Sequence, residues 1–238
     1  MKKVKWSIAA LILGMMLPVL AQAQDSNFGN WLIYIGNKKL NEKWNIHNEV
    51  QYRNYNAVGD LEQLLLRTGL GYTFNEGKNN VLLGYGYILS ENYLVTDRRL
   101  ATANREGFQA SDGEKASVNE HRIFQQFTSK QQIGRLGLTH RYRFEQRFVE
   151  SDFKLRARYF LALKLPLGDL SNEKPNVYLS AYNELFLNTK SAIFDRNRVY
   201  SGVGYPLNKN LRLEMGYMTQ LFENKSRDQF NIFLFANF

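Results

Sequence analysis

An alternation of period two, with arginines on one face and aromatics on the other, limits this chain more than any other feature. Successive side chains of a strand point to opposite sides, so strict alternation marks a sheet with two unlike faces. In 44–53, Trp44, Ile46, Val50 and Tyr52 share one face, with Asn48 out of pattern, while Asn45, His47, Glu49, Gln51 and Arg53 share the other. In 136–148, Leu136, Leu138, Tyr142, Phe144 and Phe148 oppose Thr139, Arg141, Arg143, Glu145 and Arg147. In 153–164, Phe153, Leu155, Ala157, Tyr159, Leu161 and Leu163 oppose Lys154, Arg156, Arg158, Phe160 and Lys164. Such a density of arginine does not fit a helix buried in a core, and these windows lack a period of 3.6.

Further strands are expected at about 29–37, 61–74, 80–92, 119–130, 176–188, 196–205, 211–223 and 227–238. Turn chemistry separates them: Asn75-Glu76-Gly77-Lys78, Gln132-Ile133-Gly134-Arg135, Pro206-Leu207-Asn208-Lys209 and the stretch Gly168–Pro175. One connection, about 93–118, is long and polar, with Arg98, Arg99, Asp112 and Gly113. A regular meander with short turns on one side is the pattern of outer-membrane barrels. The segments number eleven, whereas bacterial single-chain barrels have an even number of antiparallel strands. Ten or twelve strands are therefore expected, with one segment misassigned or 29–37 outside the wall.

The N-terminus reads as a secretory leader. Lys2, Lys3 and Lys5 precede an apolar stretch from Ile8 to Leu20, and Ala21-Gln22-Ala23 offers a small-x-small cleavage site. The apolar stretch is too short to span the roughly 30 Å of a bilayer core. Cleavage would separate a leader, 1–23, from one barrel domain, 24–238. Later in the chain no apolar run is long enough for a spanning helix, and mean hydropathy is −0.42. The absence of cysteine excludes a disulfide scaffold, a thiolate metal site and a cysteine nucleophile.

A soluble sandwich or lipocalin-like barrel would turn the apolar face inward, whereas a membrane barrel turns it outward. Three features favour the membrane. The segments are longer than the usual 5–6 residues of soluble strands. Aromatics gather near segment ends on the apolar face: Trp44, Tyr52, Tyr72, Phe74, Tyr142 and Phe148. The chain also ends in alternation, with Phe230, Ile232, Leu234, Ala236 and Phe238 on one face. That ending, carried by Phe230, Ile232, Leu234 and Phe238, is similar to the C-terminal signal that outer-membrane barrels present to their assembly machinery. The expected fold is thus an all-β, antiparallel up-and-down transmembrane barrel in a Gram-negative outer membrane.

Several short motifs recur in an order that resembles the bacterial outer-membrane proteins catalogued as domain of unknown function 2490. They are Trp31; Trp44 with Glu49-x-Gln51-x-Arg53; Leu66-Arg67-Thr68-Gly69-Leu70-Gly71-Tyr72; and Gly84-Tyr85-Gly86-Tyr87. Glu120-His121-Arg122, Arg141 to Phe148, Asn183-Glu184-Leu185-Phe186 and Arg196-Asn197-Arg198 complete the series. The resemblance covers nearly the whole chain after the leader. It implies an outer-membrane barrel and supplies no activity.

The formal net charge is +9, and the inward face accounts for the surplus that remains without the leader. Basic residues expected there are Arg53, Arg67, Arg122, Arg141, Arg143, Arg147, Lys154, Arg156, Arg158, Lys164, Arg198 and Arg212. The acids are Glu49, Glu120, Glu145, Glu184 and Glu214. Charge held inside leaves no exposed patch for nucleic acid or lipopolysaccharide. The interior is either a lattice of Arg–Glu pairs filling a narrow barrel or a positively lined passage or pocket for small anions. Gly69, Gly71, Gly84, Gly86, Gly202 and Gly204 fall on the inward face, and the expected reason is room for the arginines of 141–158, ahead of a slot for a ligand.

An outer-membrane enzyme or a carrier of hydrophobic ligands is the alternative. His47, His121 and His140 lack a serine two positions away, and no metal spacing is present. No catalytic residue, metal or cofactor is therefore expected. The partners expected are the bilayer, the barrel-assembly machinery and small anions.

Overall fold

The computed structural model describes residues 29–56, 59–94, 114–168, 177–189 and 192–238. The leader, the loop residues Arg98 to Gly113 and most of Gly168–Pro175 lie outside the described residues. The alternating segments all form strands: β1 (Gly29–Lys39), β2 (Trp44–Asn54), β3 (Leu61–Phe74), β4 (Asn79–Tyr93), β5 (Lys115–Ile133) and β6 (Leu136–Val149). They continue with β7 (Asp152–Pro166), β8 (Tyr178–Asn188), β9 (Phe194–Pro206), β10 (Leu211–Leu221) and β11 (Ser226–Asn237).

Each strand pairs antiparallel with the next, and β1 pairs parallel with β11 to close the barrel. The expectation of ten or twelve purely antiparallel strands is corrected to eleven strands of mixed pairing. The reason is directional. A meander reverses at every turn, so an odd count leaves its first and last strands pointing the same way. Parallel pairing is only slightly less stable per residue, and here it leaves no free edge. The segment at 29–37 completes the wall. Its register with β11 runs from Gly29 opposite Gln229 to Asn37 opposite Asn237. The last residue fastens the seam, since the Phe238 amide donates to Asn37 and its carbonyl accepts from Lys39.

We call lower the end where β11 finishes, and upper the end where β1 begins. Four lower connections are tight, including Asn75-Glu76-Gly77, all at positive φ, and a turn at Gly134 with φ of 57°. The fifth lower connection, 167–177, is long, so long loops are not confined to one end. At the upper end Gly29 sits where any side chain would strike the Asn54 carbonyl and the Arg227 guanidinium. Arg227 passes over it to Glu62, 2.6 Å away, tying β11 to β3 across β1 and β2.

The faces sort as the alternation requires. Val50, Tyr52, Leu66, Leu70, Leu83, Ile123, Tyr142, Phe144 and Val203 are exposed on the outside. Glu49, Arg67, Arg122, Arg143, Glu145, Arg158 and Glu184 are buried inside. On the outer surface toward the lower end, rings follow one another from strand to strand: Trp44 to Tyr72, Phe74, Phe127, Tyr142 and Tyr159, at centroid spacings of 5.0 to 6.5 Å.

Candidate functional site

Strand register places the inward charges side by side. Glu145 on β6 lies opposite Arg156 on β7, and one carboxylate oxygen accepts from Nε and Nη2 of that arginine at 2.9 and 2.6 Å. Its other oxygen takes the Arg158 guanidinium at 2.7 Å. Arg158 also reaches Glu184 on β8 at 2.6 Å, which Arg141 reaches at 2.7 Å and Arg198 at 3.8 Å. Glu120 holds Arg122 and Arg147, its Oε1 lying 2.6 and 2.5 Å from their Nε atoms. Glu49 faces Arg67 in register and accepts from it at 2.5 Å. Each of these acids except Glu49 thus serves two or three arginines. Arginine's fork of fixed donors suits such sharing better than a lysine point charge.

Cations outnumber these carboxylates, and the surplus rests on amide oxygens and ring faces. Arg53 donates to Gln63 at 2.8 Å and to Gln51, and stacks 3.7 Å from the Trp31 ring centroid. Arg143 donates two bonds to Gln126 at 2.9 and 2.6 Å and lies over Phe124. Arg198 donates to Gln220 at 2.8 Å and sits between Trp31 and Phe186. Cation–π contact with little water nearby is worth about 2 kcal/mol or more, and it removes no positive charge. The interior therefore stays electropositive, and most of its guanidinium groups have partners, whereas Trp31 Nε1, Arg212 Nε and Gln229 Nε2 are buried without a hydrogen-bond partner among the described residues.

All nine arginines of the expected basic cluster (Arg53, Arg67, Arg122, Arg141, Arg143, Arg147, Arg156, Arg158 and Arg198) point inward, and so do Glu49, Glu120, Glu145, Glu184 and Glu214. Glu214 stands apart from the arginine lattice and accepts from the Tyr178 hydroxyl at 2.9 Å. Lys154 is exposed at the upper rim beside Asp152. At mid-height the filling is tight: Glu145, Ile88, Met218, Gln229 and Asn231 are 0 % exposed. One side of the interior is apolar, with Trp31, Ile33, Tyr200, Met218 and Phe233 clustered inside the β1–β11 seam.

The expected reason for the glycines is corrected. A side chain at Gly84 would enter the ring of Phe124, its partner across the ladder, and one at Gly204 would enter that of Tyr178. Gly202 lies under Tyr200, Gly71 under Asn45 and Gly69 beside Leu82; only Gly86 gives room to an arginine, Arg67. The recesses are filled by flat neighbours on the same wall, not by arginines crossing from β6 and β7. Sequence reasoning also gave no role to Gln51, Gln63, Gln126 and Gln220. Their inward parity was readable, but an uncharged amide gives no sign that it will hold a guanidinium. Among the described residues, no group of three His, Asp or Glu could hold a metal ion.

Residues 28–231 match the family described as a protein of unknown function, DUF2490. The chain belongs to DUF2490. A DUF2490-containing stretch of this barrel also has a curated relative, an uncharacterised protein of Methylorubrum extorquens. The two are 27% identical over 179 residues, which cover 72% of this chain and 69% of the relative. No solved structure matches the chain. The DUF2490 match runs from the start of β1 into β11, so it takes in β1, the upper part of the seam and the inward charge.

Proposed function

We propose that this DUF2490 protein is an integral outer-membrane barrel whose charged interior acts as a structural plug, not as an open pore. The observation that carries this reading is the inversion of its faces: charge is buried within and apolar side chains are exposed without. A bilayer demands that every lipid-facing polar group find a partner in the protein. The outward polar side chains meet that demand in cross-strand pairs. Thr68 donates to Asn48 at 3.1 Å, Tyr87 to Asn119 at 2.6 Å, and Thr219 to Asp228 at 2.7 Å. Tyr85 meets His121 and His140 meets Tyr159, while Gln125 with Gln146 and Asn183 with Asn197 form reciprocal amide pairs. In water such pairing would gain little.

Strands of 11 to 19 residues reach or exceed the roughly 9–11 that a tilted crossing needs. The outer ring belt fits an interfacial girdle. The odd strand number departs from the even-numbered habit of bacterial barrels, but the physical requirement is a closed ladder, which parallel pairing also meets.

Leu83 tests the reading, being outward on β4 and 60 % exposed. In lipid, Leu83→Arg is expected to destabilise the folded barrel by about 2–4 kcal/mol if the site lies near mid-bilayer, and the parent protein should fractionate with outer membranes. A soluble barrel would tolerate that arginine, so an unchanged urea midpoint together with a soluble parent would overturn the assignment.

A further inference from the structure

Inward residues are partly exposed near the mouths and buried between them. In the upper half Arg53, Arg122, Arg143 and Glu184 are buried, while Arg147 is half-buried and Lys154 exposed at the rim. Toward the lower end, Arg141, Phe160, Lys164, Tyr182, Arg212 and Phe235 are only half-buried. An inward side chain meets solvent only through a mouth of the barrel. A blind recess therefore opens at the lower end, with the Arg–Glu lattice as its floor.

Two kinds of surface line this recess. One is a wall of rings: Phe160 lies 5.0 Å from Tyr182, which stacks at 4.6 Å on Tyr200, and Phe233 and Phe235 continue it to the seam. The other is cationic. Lys164 Nζ lies 3.9 Å from the Tyr178 ring centroid, Arg212 4.0 Å from that of Phe235, and Arg141 4.1 Å from that of Phe160. Two acids border the recess, and Glu214 also acts electrostatically on Lys164. Glu184 is shared among Arg141, Arg158 and Arg198, and buried Glu214 accepts from Tyr178. Among the described residues, Lys164 and Arg212 enter no ion pair.

We propose that the lower recess binds a small anion with an apolar body, of the aromatic carboxylate class. Lys164 and Arg212 receive the carboxylate, and the body lies against Phe160, Tyr182 and Phe235. Low-dielectric walls weaken screening, so two cations at one mouth concentrate such anions. The rings add apolar contact that an inorganic anion could not use.

The test titrates the folded full-length protein in a non-ionic detergent with 4-fluorobenzoate, followed by fluorine NMR. The neutral 4-fluorobenzyl alcohol serves as the second probe. The anion should bind at least tenfold more tightly than the alcohol. The double variant Lys164→Gln, Arg212→Gln should lose that preference without changing the weak binding of the alcohol. Lys154→Gln, at the far rim, should bind like the parent. If the double variant does not fold, Lys164→Gln alone should weaken anion binding threefold or more. Absence of anion binding, equal binding of the two probes, or unchanged affinity in folded variants would overturn the proposal. None of these outcomes bears on membrane insertion.

Discussion

At the residue scale, the interior solves a problem that one carboxylate per arginine would have made trivial. Glu145 is fully buried and holds Arg156 and Arg158 together. Replacing it with glutamine leaves Arg158 with Glu184 alone and Arg156 with only the more distant Asp195, 3.4 Å away. Removing one partner of a buried pair costs roughly 3–5 kcal/mol, so Glu145→Gln should lower the urea midpoint of the folded barrel by a corresponding amount. Lys154→Gln removes a pair whose side chains are about half exposed and should stay within roughly 0.5 kcal/mol of the parent. Equal midpoints for the two variants would show that the buried lattice does not support the fold. Adding Arg156→Gln to Glu145→Gln should recover part of the loss, because the cation that leaned chiefly on Glu145 leaves with it.

At the element scale, the seam between β1 and β11 invites the sharpest test. Leu32 and Ile232 are partners across it, both on the outer face. The chain has no cysteine, so Leu32→Cys with Ile232→Cys introduces a single possible disulfide. Parallel neighbours lie about 4.8 Å apart, within the reach of a disulfide. Oxidation should cross-link this pair efficiently and the staggered pair Leu32→Cys with Phe230→Cys much less. The reverse order would reject the register. The strands themselves were legible because Arg141, Arg143 and Arg147 alternate with Tyr142, Phe144 and Phe148, and no helix tolerates that order. Closure was not legible. Local alternation assigns a segment's faces and says nothing about which edge it will meet, so a rule about even numbers outweighed a segment that was present. The same gap hid the role of Trp31, whose contacts with Arg53 and Arg198 exist only once β1 lies between β2 and β11. The charges of the interior, by contrast, followed from parity within single strands.

At the scale of the whole molecule, a tight mid-height layer separates the two mouths. Reconstituted in a planar bilayer, the protein should give no steady single-channel steps. Persistent anion-selective steps would replace the plug with a passage, and substitution of Arg141, Arg143, Arg156 and Arg158 by glutamine should then weaken that selectivity. The parity of the strands reaches further than this protein. Barrels grow and shrink most simply by whole hairpins, and adding or deleting a hairpin changes the count by two. A descendant of this barrel made that way would again have an odd count, and its outermost strands would again run alongside each other. Only the loss or gain of a lone strand could break the inheritance, and it would carry one terminus of the sheet to the opposite mouth.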